Sequence, residues 1–300
     1  MIRLLGRRPR TDLSDLKRLR RTAIANAWTL ASPDLAVGMK EMPLPVRGGL
    51  RARRYDPAGE PVRAVVYFHG GGYVSGSPAS HDALARRLSA ALSAIVFSID
   101  YGLAPESPAF SAFDDALAAT RWIAAHGLAE RGVLPFGVCG DSAGGGLAAA
   151  VALSLRGSPT SLAFLVLLWP WLDLRCTSDS HRLYGEGFLL ETRWLKACAA
   201  AYAGQGVDDP RASPVLALDV GDLPPTYILT AGCDPLRSDS ELWAARLKAA
   251  GVPVYWRVAE GLPHAFLLAS DIAPEGVEAF DGLVAGLIGD STKRGSASGR

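Results

Sequence analysis

A serine in a glycine-rich turn is the first pattern in the sequence with the chemistry of a nucleophile. The motif GDSAG, Gly140 to Gly144, lies between the apolar stretch FGVC and the alanine-rich stretch GGLAAAVALSL. G-x-S-x-G between a strand and a helix holds its serine on a strained turn, where small neighbours avoid collisions. Ser142 is therefore the candidate nucleophile. The alternative is a glycine-softened turn that happens to carry a serine.

A serine hydroxyl needs a base at neutral pH, usually a histidine that a carboxylate orients. Of the five histidines, only His264 comes late in the chain after a strand-like stretch, VYWRVA. Asp234 likewise follows the strand-like stretch TYILTA. The side chains of Ser142, Asp234 and His264 are therefore predicted to meet above one edge of a sheet as a catalytic triad.

Each member of this triad has an alternative interpretation. Asp234 could cap a helix with Pro235 at the first helical position. Asp239 and Asp222 are competing candidates for the acid. His264 could be a loop histidine with a local hydrogen bond. The joint placement of the three residues favours the triad.

Three consecutive glycines follow a histidine in FHGGGYVSG, Phe68 to Gly76. Glycines let backbone N–H groups turn towards a developing oxyanion, and one such donor contributes roughly 2.7 to 4 kcal/mol to catalysis. The amides of Gly71, Gly72 and Ala143 are therefore the candidate oxyanion hole. A phosphate-binding loop is the alternative, but neither G-x-x-x-x-G-K-[ST] nor G-x-G-x-x-G followed by a helix is present.

The composition predicts a globular protein with a large core. The chain has 300 residues, of which 49% are hydrophobic, and a formal net charge of +1. This charge balance argues against nucleic-acid binding, and the basic stretches Arg3 to Arg10 and Lys17 to Arg21 fit solvated helix faces. The chain is long enough for one large domain or two small ones.

No apolar run reaches the roughly 18 residues of a membrane span, since the longest, Leu162 to Leu172, contains Pro170. The sequence also lacks an apolar signal region with a cleavage site, so a cytoplasmic location is expected. The four cysteines, which show no CxxC spacing, are expected to be free thiols, with no metal site. They are Cys139, Cys176, Cys198 and Cys233.

Apolar runs alternate with alanine- and leucine-rich stretches after about residue 60, which predicts an α/β fold with parallel strands. The predicted strands are Arg63 to Phe68, Ala94 to Ile99, Phe136 to Gly140, Ala163 to Trp169, Thr226 to Ala231 and Val254 to Ala259. The predicted helices are His81 to Leu92, Ala112 to Gly127, Gly144 to Arg156 and Ser238 to Ala250.

Two regions interrupt this alternation, namely residues 1 to about 60 and Asp173 to about Pro210. Insertions of that size are usually lids or binding elements. The end of the chain, Ser291 to Arg300, is small and polar and is predicted to be a flexible tail.

With five motifs in order, the sequence resembles the hormone-sensitive-lipase-like carboxylesterases, which are bacterial family IV of the α/β-hydrolase superfamily. The motifs are HGGGY (69–73), YGLAPE (101–106), GDSAGG (140–145), DPLRS (234–238) and PHAF (263–266). The resemblance covers about residues 60 to 285. It implies an α/β-hydrolase fold with a mostly parallel eight-stranded sheet, helices on both faces and a helical cap from about residues 1–45 and 175–210.

The resemblance also implies a serine carboxylesterase that needs no cofactor and acts on small-molecule esters of short to medium acyl chains. The family's nucleophile, acid and base fall on Ser142, Asp234 and His264. Its oxyanion donors fall on Gly71, Gly72 and Ala143, so both routes give the same assignments.

Three positions depart from the usual family pattern. Gly102 stands where an arginine is common, Gly146 where an asparagine often follows, and Ala265 where glycine is usual. The missing arginine raises the question of what packs around Glu106, which we expect to be structural.

Tyr73, next to the glycines, and four aromatic residues of the predicted cap are candidate substrate-binding residues. The cap residues are Tyr184, Phe188, Trp194 and Tyr202. They could line an acyl pocket or simply attach the cap to the core. The same catalytic machinery could serve amides, lactones or acetylated substrates, and the same scaffold could belong to a non-catalytic small-molecule binding protein. A homodimer is also possible.

Overall fold

The computed structural model describes residues 13, 15–21, 35–127, 134–268 and 274–297. In these ranges the strands are β1 Gly38–Leu44, β2 Leu50–Asp56, β3 Arg63–Phe68, β4 Ala94–Asp100, β5 Phe136–Asp141, β6 Phe164–Leu168, β7 Thr226–Cys233 and β8 Val254–Pro263. They form an eight-stranded sheet in the order β1-β2-β4-β3-β5-β6-β7-β8. The pairs β1–β2 and β2–β4 are antiparallel, and all others are parallel. The predicted mostly parallel eight-stranded sheet is confirmed.

The six strands predicted from the sequence correspond to β3 through β8. Strands β1 and β2 lie in the amino-terminal region where the sequence pattern showed no alternation. Most residues of β1 are exposed, and β2 reads LRARRYD, so neither strand has a strong apolar signal. Their arginines and carboxylates pair on the sheet surface, for example Arg53 Nε with Glu41 Oε1 at 2.7 Å.

The helices connect and cover the strands. They are α1 (16–21), α2 Asp82–Leu92, α3 Ser111–Trp122, α4 Ala143–Leu155, α5 Asp179–Tyr184, α6 Thr192–Ala203, α7 Arg237–Ala249 and α8 Pro274–Ala297. A π-helical turn, Ile123–Gly127, extends α3. The four predicted helices correspond to α2, α3 with this turn, α4 and α7. Helix α8 enters the segment 291–300, whose flexibility stays a prediction.

The sheet separates two apolar layers. Along β3, Val66 and Phe68 point into one layer, while Val65 and Tyr67 point into the other. The first layer contains buried residues of α3, α4 and α7, and the second contains buried residues of α2 and α8. Helices therefore cover both faces, as the continuous apolar strands predicted.

Helices α5 and α6 lie in the long insertion between β6 and β7. The predicted cap, residues 1–45 and 175–210, includes them. Of its amino-terminal part, residues 1–12, 14 and 22–34 lie outside the described residues, and Gly38–Leu44 belongs to the sheet as β1. The assignment of these segments as a cap stays a prediction.

The four cysteines are free, and all but Cys233 are buried. In the described part of the chain, no helix combines the length and apolar character needed to cross a membrane.

Helix α8 should contribute strongly to stability through Phe280, which is fully buried against the sheet. We expect Phe280→Ala to lower the free energy of unfolding by about 3–5 kcal/mol, because it removes apolar contacts and leaves a cavity. Urea unfolding followed by circular dichroism measures this change. The control Leu242→Ala removes a half-exposed leucine of α7 and should change the midpoint little. Equal effects of the two variants would contradict this account of the core.

Candidate active site

Ser142 lies on a tight turn between β5 and α4. Its backbone has φ 54° and ψ −121°, a strained conformation for a residue with a side chain. The turn requires glycine at position 144, because this residue comes so close to β3 that a Cβ there would overlap the Phe68 carbonyl oxygen. The turn therefore holds Ser142 above the carboxyl end of β5, as the motif predicted.

The structure brings the three predicted triad residues into one chain of hydrogen bonds. His264, which follows β8, has its Nε2 atom 2.9 Å from Ser142 Oγ. Its Nδ1 atom lies 2.7 Å from Oδ2 of Asp234, which follows β7. Asp234 and His264 are almost completely buried. With Nδ1–H donating to Asp234, His264 Nε2 is free to accept the Ser142 proton.

The candidate acids Asp234 and Asp239 have different hydrogen-bond partners. Asp234 precedes α7, and its other oxygen, Oδ1, accepts the N–H of Leu236 at 2.9 Å. The carboxylate thus organises the turn and contacts His264 at once. Asp239 is buried within α7 and accepts the N–H groups of Leu172 and Asp173 at 3.0 Å each. Burial raises the pKa of Asp239 well above its usual value.

The candidate oxyanion loop follows β3 and contains two glycines with positive φ, 123° at Gly71 and 64° at Gly72. This backbone favours glycine because a side chain would be strained there. Space is also limited, since a Cβ at Gly72 would lie 2.6 Å from the Trp194 ring and 2.9 Å from Cys198 Sγ. The third candidate donor, Ala143, begins α4 directly after Ser142.

Helix α6 covers this loop with three residues spaced four apart. Trp194 and Cys198 lie against Gly72, and Tyr202 stacks on Tyr73 with ring centroids 3.9 Å apart. Tyr202 is buried, so its ring packs the helix onto the loop, whereas Trp194 is only partly buried. The other two candidate aromatics, Tyr184 and Phe188, contact each other edge to face at 5.2 Å. The contact of Cys198 with the loop was missed from the sequence, which carried no signal for it.

An arginine from α1 packs around Glu106, where the usual family arginine is replaced by Gly102. The Arg20 guanidinium pairs with both oxygens of Glu106, at 2.9 and 2.8 Å. It also donates to the carbonyl oxygens of Val74, at 2.8 Å, and Ala104, at 3.1 Å. Glu106 is therefore structural, as expected, and its partner comes from a distant part of the chain.

The other two departures from the family pattern also have local consequences. A Cβ at Gly146 would lie 2.5 Å from the Trp171 carbonyl oxygen and 2.6 Å from Tyr73 Oη. The absence of a side chain there leaves room for Tyr73. Ala265, next to His264, has a φ of 57°, which explains why glycine suits that position.

Helix α5 is bonded to the loop that carries Asp234. Ser180 Oγ donates to the Pro235 carbonyl oxygen at 2.5 Å and accepts the Ser238 N–H at 3.1 Å. The neighbouring His181 is buried, and its Nδ1 atom bonds to Thr192 Oγ1 at 2.9 Å, which links α5 to α6. Burial lowers the pKa of His181 to about 4, against the opposing effects of Asp234 and Asp173.

Comparison with known proteins decides the family. Residues 65–268 match the family described as alpha/beta hydrolase fold. The chain belongs to this family. Among relatives, it is 39% identical over 251 residues to the carboxylic ester hydrolase LipN of Mycobacterium tuberculosis, covering 79% of this chain and 66% of LipN. The resemblance predicted from the five motifs is confirmed.

Two further relatives support the same assignment. The α/β-hydrolase chain is 38% identical over 230 residues to the ethyl acetate hydrolase of Pseudomonas putida, covering 74% of this chain and 70% of that protein. A solved esterase from Pyrobaculum calidifontis superimposes with a TM-score of 0.86 at 35% identity and covers 95% of both chains. The likeness therefore extends over nearly the whole fold.

His181 should make stability depend on pH. Because the pKa of the folded-state His181 lies below its ordinary value of 6.5, the unfolded chain binds an extra proton between these two pKa values. Stability contributed by the neutral ring is thus present above pH 6.5 and lost as pH falls towards 4. At a pH of about 5 the loss is about 2 kcal/mol.

We therefore expect the urea midpoint of His181→Asn to change less than that of the wild type between about pH 7 and about pH 5. His126→Gln, which replaces an exposed histidine, is the control and should leave the wild-type pH dependence intact. An unchanged slope in His181→Asn would contradict this assignment.

Proposed function

We propose that the chain is a serine carboxylesterase in which Ser142 is the nucleophile, His264 the base and Asp234 the residue that orients His264. The observation that carries the proposal is the continuous pair of hydrogen bonds, 2.9 and 2.7 Å long, that joins these three side chains. The named ester-hydrolysing relatives support the reaction class. A non-catalytic binding protein would not need this aligned set of buried groups.

In the first step, Ser142 Oγ attacks the ester carbonyl carbon while its proton moves to His264 Nε2. The carbonyl π bond opens, and the oxygen takes the negative charge. The Asp234 carboxylate stabilises the resulting imidazolium through the Nδ1 hydrogen bond. We assign Gly71, Gly72 and Ala143 as the amides that receive the oxyanion.

The tetrahedral intermediate then collapses to an acyl-enzyme. The bond to the leaving alcohol breaks, and His264 donates its proton to the alkoxide. Water then attacks the acyl carbon after giving a proton to His264. The bond between the acyl carbon and Ser142 Oγ then breaks as the carbonyl re-forms. The carboxylic acid leaves, and the proton on His264 returns to Ser142 Oγ.

We infer that the substrates are small esters with short to medium acyl chains. The buried position of Ser142 and the packing of α6 onto Gly72 support a confined site. The name of the Pseudomonas putida relative, ethyl acetate hydrolase, supports a short acyl group. Of the candidate substrate-binding residues, Trp194 is partly buried beside Gly72 and is the one we place at the acyl group. A cytoplasmic location and a homodimer remain predictions.

The nucleophile is tested by Ser142→Ala. We expect kcat for p-nitrophenyl acetate to fall by about 10⁴-fold or more, because no other group replaces the attacking oxygen. Ser154→Ala, the same substitution on the exposed side of α4, is the control and should retain wild-type kcat. A Ser142→Ala protein with wild-type turnover would overturn the proposal.

The acyl preference is tested with a series of p-nitrophenyl esters. We expect kcat/KM to be highest for acyl chains of about two to eight carbons and to fall beyond, because a confined site cannot desolvate a longer chain. Trp194→Ala should shift the optimum towards longer chains. A wild-type optimum beyond about twelve carbons would contradict the inferred confinement.

A further inference from the structure

The peptide groups that lead into the candidate oxyanion loop are held by buried side chains that the triad does not use. Asp141, which directly precedes Ser142, is almost completely buried. Its Oδ1 atom accepts the Gly70 N–H at 2.8 Å and the Tyr67 hydroxyl at 2.5 Å. Its Oδ2 atom lies 3.6 Å from His81 Nε2. One carboxylate thus connects the turn of the nucleophile to the loop of the glycines.

The same peptide group is fixed at its other end. The carbonyl of His69 and the N–H of Gly70 belong to one planar peptide unit. Tyr101 donates its hydroxyl hydrogen to this carbonyl at 2.6 Å, while Asp141 receives the N–H. The plane can therefore not rotate without breaking a buried hydrogen bond at both ends.

The next peptide unit contains the Gly70 carbonyl and the N–H of Gly71, a candidate oxyanion donor. His69 Nδ1 lies 2.8 Å from this carbonyl oxygen and must carry the hydrogen, since a carbonyl can only accept. Burial lowers the pKa of His69 to about 3, so its ring is neutral. The Gly71 N–H lies in the same peptide plane as the Gly70 carbonyl, which His69 holds. This plane directly follows the one that Asp141 holds, so both contacts orient the Gly71 N–H.

We propose that Asp141 is a positioning residue for the oxyanion loop, which acts through the Gly70 N–H and is itself held by the Tyr67 hydroxyl. This role rests on the proposed function, because it requires an oxyanion that the loop stabilises. A loop of consecutive glycines has many conformations, and donors stabilise a transition state without reorganisation only where they are already oriented. The fixed Gly70 peptide supplies that orientation.

The test is Asp141→Ala, which removes the acceptor for Gly70. We expect kcat per active site to fall by about 10- to 100-fold with KM changed by less than about threefold, because a loop without this support stabilises the oxyanion less well, and the oxyanion forms only in the transition state. Active sites are counted by the endpoint of fluorophosphonate labelling. A purely structural role would reduce the number of labelled sites and leave kcat per site unchanged.

Two further readouts report on the loop itself. The inhibition constant of a trifluoromethyl ketone, whose hemiketal oxygen mimics the oxyanion, should rise by the same factor as kcat/KM falls. Hydrogen exchange of the Gly70 amide should become faster. Asp141→Asn, which keeps an acceptor oxygen in the same place, should restore most of the lost kcat.

Asp239→Ala is the matched control. It removes another buried carboxylate that accepts backbone N–H groups, those of Leu172 and Asp173 rather than that of Gly70. We expect it to lower stability and to leave kcat per labelled site unchanged. If Asp141→Ala does not fold, the measurements are made on Asp141→Ser, whose hydroxyl is too short to reach Gly70.

The positioning role is overturned if the Ala or Ser variant keeps kcat per labelled site within about twofold of the wild type. This outcome is distinguishable from a failure of the proposed function. Activity retained in Ser142→Ala refutes the serine mechanism, whereas an inactive Ser142→Ala together with a fully active Asp141→Ala refutes only the role of Asp141.

Discussion

The hydrogen bond between His264 Nδ1 and Asp234 Oδ2, 2.7 Å long, is the interaction on which the rest of the site depends. A carboxylate can only accept, so this bond favours the tautomer with its hydrogen on Nδ1, which leaves Nε2 as an acceptor for Ser142. The bond can form because β7 and β8 are parallel neighbours, so the residues that follow them share one edge of the sheet. Strand β5 ends at the same edge and supplies Ser142. The parallel register thus brings together residues that are far apart in sequence.

The candidate oxyanion loop shows how a glycine-rich backbone can be both adaptable and rigid. Beneath it, Asp141, Tyr101 and His69 hold two successive peptide planes. Above it, α6 packs Trp194 and Tyr202 against the loop. Preorganised donors require such support, because an amide that must first be oriented loses part of its stabilising effect. The two sets of contacts therefore link the core and the insertion to the same candidate oxyanion loop.

The sequence predicted those parts of the fold whose local pattern agrees with their environment. Strands β3 to β7 are apolar because they are covered on both faces, and the turn around Ser142 is marked by its glycines. The edge strand β8 is mostly half-buried, and its signal came from β-branched and aromatic residues. Strand β2 gave no comparable signal, because its three arginines mask the apolar pattern. The strand tolerates these charges because carboxylates on neighbouring residues pair with them. An amphipathic pattern is a weak guide at the polar edge of a sheet.

Contacts between distant segments were also beyond sequence reasoning. Nothing in the pattern around Arg20 indicates that it pairs with Glu106 and the Val74 carbonyl, because that contact depends on how α1 packs. The role of Asp141 was missed for a different reason. It occupies a variable position of the G-x-S-x-G motif, and only the fold shows that its side chain reaches Gly70. Local chemistry was readable from the motifs, whereas supporting contacts required the three-dimensional arrangement.

The account is tested most directly by trapping the covalent intermediate. The protein is mixed with p-nitrophenyl acetate, quenched in acid within the first turnovers, digested and analysed by mass spectrometry. We predict a burst of p-nitrophenol and one acetyl group on the peptide that contains Ser142. Continued turnover with the acetyl group on another residue, or with no acetylated peptide at any quench time, would contradict the central claim.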